Sequence, residues 1–168
     1  LPRDAPFTAY KDVDLNLVVE GASGDEPHEI FYKGLILEHG ILDVERYHSP
    51  ETVLSDPALA ANLAVNSILA DPRGMLAPLQ STVARQYAQR RWVQARCASA
   101  KNDVLLGLGG LAHAASPDQA RLILWLYVTM GLTGVVALAD LQPPTHRRSL
   151  IQMKALLEQH GREDLQEA

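Results

Sequence analysis

A chain of 168 residues, 47% apolar and 21% charged, is long enough for one ordinary domain or two small ones and too apolar to be disordered. Its formal charge of −5 argues against a broad basic surface for nucleic acid. The single cysteine, Cys97, excludes an internal disulfide and fits a reducing cytoplasm. Arg3 and Asp4 lie near the start and no apolar run follows them, so no signal peptide is expected.

Residues 1–10, broken by Pro2 and Pro6, read as a loop feeding a strand made by Val13, Leu15, Leu17, Val18 and Val19. A second loop covers residues 21–27. Glu29-Ile30-Phe31-Tyr32 reads as a short strand, Lys33-Gly34 as a turn, and Leu35-Ile36-Leu37-Glu38 as the returning strand. Residues 42–47 read as either a further strand or an irregular edge. Ser49-Pro50-Glu51 has the form of a helix start, a serine cap followed by proline, and Asp56-Pro57 repeats it. Ser67-Ile68-Leu69-Ala70 reads as a last short strand, closed by the turn Asp71-Pro72-Arg73-Gly74.

After Gly74 the apolar spacing becomes helical. Leu76, Leu79, Val83, Tyr87 and Val93 mark one face of a long helix expected to run to about Leu108. Ser116-Pro117-Asp118-Gln119 is a capping box that starts the next helix. Residues 122–139 carry no charge and approach the length of a membrane span. Thr129, Gly131, Thr133 and Gly134 interrupt them, and Asp140 rather than a base follows, so they are read as a buried core helix. Pro143-Pro144 stops that helix. Thr145 is expected to cap a last one, with Leu150, Met153, Leu156 and Leu157 as its buried stripe and Gly161 as its stop. The expected fold class is α+β: a small mixed sheet over residues 1–73, followed by a C-terminal helical bundle over residues 74–168.

The chemistry concentrates on Asp12 and Asp14. Residues two apart in a strand share a face, so the two carboxylates project together. Bringing like charges together is costly without a cation. Mg²⁺, which takes one or two carboxylates plus substrate phosphates, suits such a pair. Two-metal phosphoryl transfer calls for a third carboxylate from a neighbouring strand. Glu38 is the best candidate, because it ends an apolar strand where a charge is otherwise out of place. Asp43 is the runner-up, with Glu45 two residues further on. The histidines are scattered, with no zinc spacing, and neither a dinucleotide fingerprint nor a nucleophile elbow is present. Arg147 and Arg148, at a helix start, are expected to pair with acids such as Asp140.

Asp12-Val13-Asp14-Leu15 followed by an apolar strand resembles the metal site of the polymerase-β-like nucleotidyltransferases, the superfamily that includes the aminoglycoside nucleotidyltransferases. Lys33-Gly34-Leu35-Ile36-Leu37-Glu38 resembles the family's hairpin turn and third-acid strand. Ser49-Pro50-Glu51-Thr52-Val53-Leu54 and Ile68-Leu69-Ala70-Asp71-Pro72-Arg73-Gly74 resemble the stretch that closes its catalytic domain. Arg91-Trp92-Val93 with Arg96-Cys97 is similar to the start of the attached helical domain. Residues 144–148 and 156–162 are similar to its last helix. The resemblance covers most of the chain.

It implies transfer of a nucleoside monophosphate from a Mg²⁺-bound nucleoside triphosphate, ATP foremost, to a hydroxyl of a small-molecule or protein acceptor, with release of pyrophosphate. Asp12, Asp14 and Glu38 would hold metal, and Glu38 would help deprotonate the hydroxyl. A cytoplasmic setting, no membrane and no nucleic-acid partner are expected, and a homodimer is compatible with the reading. The chain departs from the family in one respect: no Gly-Ser turn, the family's triphosphate cradle, stands between Leu1 and Asp12. Leu1-Pro2-Arg3-Asp4 resembles the residues that would follow it, so the pair is expected just upstream of Leu1. A chain that lacks it altogether would instead be a non-catalytic binding or antitoxin-like regulatory module on the same fold. A purely helical interaction protein, the remaining reading, would need residues 13–19 to be helical, against their β-branched valines.

Overall fold

The computed structural model describes residues 13–22, 28–145 and 148–165. It is α+β, and its contacts divide the chain into two compact units, Leu1–His48 and Ser49–Ala168. The helices between Ser49 and Arg73, expected to belong with the sheet, group by contacts with the helices that follow.

The first unit is a three-stranded sheet of β1 (Val13–Val19), β2 (His28–Tyr32) and β3 (Leu35–Asp43), in the order β1-β3-β2. β1 runs parallel to the central β3, and β2 runs antiparallel to it. Residues 13–19 are therefore a strand, which removes the purely helical reading. The β2–β3 turn is the expected Lys33-Gly34 pair. Both take positive φ, 50° and 83°, the left-handed conformation whose twist matches a two-residue hairpin. β3 runs on through Leu42 and Asp43. Residues Val44–Tyr47 then form one 3₁₀ turn, capped by Asp43 Oδ1, which accepts from the Glu45 amide at 2.8 Å. Alternation puts Val13, Leu15, Leu17, Ile30, Leu37 and Ile41 on one face, and Asp14, Asn16, Glu29, Ile36, Glu38 and Gly40 on the other.

The second unit opens with two short helices, α1 (Pro50–Ser55) and α2 (Pro57–Val65). Their caps are those the sequence announced. Ser49 Oγ accepts from the Thr52 amide, and Asp56 Oδ1 accepts from the amides of Ala58 and Leu59. Residues 67–70 are not a strand. The carbonyls of Leu63 and Asn66, at the end of α2, accept from Gln80 Nε2 at 2.8 and 2.7 Å, and Leu69 is 81% exposed. The Asp71–Gly74 turn is present, closed by a bond from the Gly74 amide to the Asp71 carbonyl. The Asp71 carboxylate goes on to accept from the amides of Met75, Leu76 and Ala77, capping the next helix.

The single long helix expected to Leu108 is two: α3 (Leu76–Gln86) and α4 (Arg90–Gly109). No glycine or proline marks the break at residues 87–89. At the break Gln89 goes extended, and the Tyr87 carbonyl, still helical in conformation and left without a helical partner, accepts from Arg96 Nη2 at 2.8 Å.

The next helical rod, Pro117–Ala139, comprises α5 (Pro117–Leu124), a wide π-helical stretch (Trp125–Gly131) and α6 (Leu132–Ala139). Ser116 Oγ caps it by accepting from the Gln119 amide, and Gln119 Oε1 reaches back to the Ala115 amide. The rod is long and apolar enough, by length and composition, to cross a membrane. The expectation of a buried core helix is corrected for its first half. Thr133, Ala137 and Leu138 of α6 are buried, but only 17% of the most apolar window is. The rod meets α4 along a narrow seam, in which Gly107 lies against the Tyr127 ring and Gly131 against Val104, and Gly110, just past the end of α4, lies against Ile123. Leu122, Leu124, Trp125 and Val128, which flank that stripe, stay exposed.

The last helix, α7 (Ser149–Gln159), starts later than expected. Thr145 does not cap it. Instead the Thr145 amide and hydroxyl bond to Gln152 Oε1, and Gln152 Nε2 donates to the Pro143 carbonyl. Gly161 ends it as anticipated, at φ 63°, with bonds from the Gly161 amide to Glu158 and from the Arg162 amide to Leu157.

Candidate functional site

The register of the sheet decides which acids can work together. Asp14 of β1 stands opposite Glu38 of β3, and Glu38 stands opposite Glu29 of β2. The three carboxylate residues form one row across the sheet on one face, at successive strand spacings of about 4.8 Å. Asp14 and Glu29 are exposed and Glu38 is half-buried. Asp12, the first member of the expected set, lies outside the described residues.

Asp43, the runner-up, is on β3 but five residues beyond Glu38. An odd separation puts it on the opposite face, roughly 16 Å further along the strand. Its carboxylate is engaged in capping the 3₁₀ turn, and Glu45 lies in that turn. Neither belongs with Asp14 and Glu38.

Among the described residues, no three His, Cys, Asp or Glu side chains gather closely enough to hold a metal ion. Neighbouring strands present their carboxylates side by side rather than converging on a point. Like charges directly opposite, as at Glu29 and Glu38, repel. The donor set is nevertheless of the right chemistry for Mg²⁺. Asp14 and Glu38 offer hard oxygens, and Mg²⁺ takes one or two carboxylates with its remaining positions filled by water and phosphate.

Glu29 was not singled out in the sequence, although its place was available there. A two-residue turn at Lys33-Gly34 pairs Tyr32 with Leu35, and counting outward pairs Glu29 with Glu38.

A second concentration of charge, which the sequence did not announce, is Arg96 in the helical unit. Its side chain is fully buried. Nη1 donates to the Leu54 carbonyl at 3.1 Å and Nη2 to the Tyr87 carbonyl at 2.8 Å. The guanidinium also lies 4.2 Å from the centre of the Tyr87 ring. Leu54 is in the last turn of α1, and Tyr87 is the residue at the C-terminal end of α3. Two helix C-termini, each carrying partial negative charge, therefore point at one cation, and an aromatic face covers it. Nε has no partner among the described residues. Burial pulls the guanidinium pKa down, partly opposed by Tyr87 and Cys97. Burial also pushes the Tyr87 phenol and the Cys97 thiol up, in both cases partly offset by the Arg96 charge. With two carbonyls fixing it, this arginine is part of the core's architecture.

Near the C-terminus, Asp140 accepts from Gln142 Nε2 at 3.0 Å and pairs with His160 Nε2 at 2.7 Å. His160, rather than Arg148, fills the role foreseen for a basic partner of Asp140; Arg147 lies outside the described residues. Compared with family models, with curated proteins and with solved structures, the chain gave no match.

Proposed function

We propose that the chain is a Mg²⁺-dependent nucleotidyltransferase that moves a nucleoside monophosphate, from ATP or another nucleoside triphosphate, to an acceptor hydroxyl. The observation that supports this reading most is the pairing of Asp14 with Glu38 on parallel neighbouring strands, which puts the two carboxylate residues side by side on one face of the sheet. Asp12, Asp14 and Glu38 would hold the metal, and Glu38, the half-buried member on the central strand, would take the hydroxyl proton. Bound divalent cations supply charge neutralisation of the triphosphate and of the leaving pyrophosphate. The lone, half-buried Cys97 fits a reducing, cytoplasmic setting.

The test is pyrophosphate release from the four nucleoside triphosphates with Mg²⁺ and a panel of hydroxylated acceptors, on the full chain and on Asp14→Asn and Glu38→Gln. The expected result is release by the parent at least 100-fold above either variant, since each variant removes a cation ligand. Equal rates in all three proteins would overturn the assignment.

The second reading is a non-catalytic binding or regulatory module on the same sheet. It is favoured by the row of Asp14, Glu38 and Glu29, which stand side by side across three strands rather than converging on a point. Nucleotide binding without pyrophosphate release, under conditions that saturate the protein, would select it.

A further inference from the structure

We draw no further inference here: the strongest candidate, the exposed apolar stretch of residues 122–128 on the long helical rod together with Leu105 and Leu106 on α4, carries nothing, because nothing in the structure shows what covers it.

Discussion

In the helical unit Val53, Leu54, Val83 and Ala137 are sealed from water, whereas no described strand residue of the sheet is buried, and Leu17, Ile30 and Tyr32 each show about half their surface. The helical unit draws its stability from interdigitated side chains and a buried cation. The sheet draws its own chiefly from ladder hydrogen bonds and cross-strand pairs, and it carries the candidate chemistry on its polar face. The packed core and the candidate carboxylates thus lie in different parts of the chain. Substitutions should separate accordingly: changes around Arg96 should unfold the helical unit, and changes at Asp14 or Glu38 should leave it standing.

Arg96→Ala is expected to break the comparison hardest. It opens a cavity and strips the Leu54 and Tyr87 carbonyls of their donor, so a loss of about 3 kcal/mol or more is expected. Urea unfolding followed by tryptophan fluorescence reads this cleanly, because both tryptophans, Trp92 and Trp125, lie in the helical unit. A loss below about 1 kcal/mol would mean that the carbonyls find other partners and that Arg96 is not the centre of this unit.

The helical seam offers a finer contrast. A methyl at Gly131 would sit 2.3 Å from Val104 Cγ2, on a short, buried side chain that cannot move away. A methyl at Gly107 would sit 2.1–2.4 Å from three carbons of the Tyr127 ring, which is 36% exposed and so has an open side toward which the whole ring must rotate. Gly131→Ala should therefore cost about 1–3 kcal/mol. Gly107→Ala should cost less, because alanine's helix propensity, worth up to about 1 kcal/mol, offsets part of the displacement of the ring toward its open side. Thermal unfolding of the two variants should show this order. The reverse order would place the tight contact of the rod at the wrong end.

Alkaline pH should weaken the helical unit more gently. The Tyr87 phenol and Cys97 thiol are held above their ordinary values of 10.0 and 9.0, chiefly by burial. In the alkaline range the folded chain therefore binds more protons than the unfolded one. Stability is complete below about pH 9 and falls as pH rises beyond it. Cys97→Ala should remove the earlier part of that decline in a urea series from pH 7 to 10.5, and a pH-flat midpoint in the parent would contradict the burial of both groups.

Much of this fold is legible in the residues because it is local. Ser49, Asp56 and Ser116 cap helices where their spacing says they should, Lys33-Gly34 makes its turn, and Gly161 ends α7. What the sequence misses is set by packing between elements. The helix stops at residues 87–89 without a glycine or proline, where Arg96 takes the Tyr87 carbonyl. The exposed side chains around Trp125 follow from a seam only one stripe wide, which apolar composition cannot foretell. The candidate site divides the same way. Asp14 and Glu38 are read from alternation and from a charge at the end of an apolar strand, and Glu29 can be counted outward from the Lys33-Gly34 turn, but that Asp14 stands opposite Glu38 needs the β1–β3 register.

The central claim is that Asp14 and Glu38 act as one cation seat whose loss leaves the helical unit intact. Calorimetric titration of Mg-ATP into the full chain and into an Asp14→Asn, Glu38→Gln double variant tests it most directly, with the tryptophan-monitored unfolding midpoint of each as companion. The account predicts a binding isotherm in the parent, at least a tenfold weaker one in the variant, and midpoints that agree. Equal affinities with equal midpoints would contradict it.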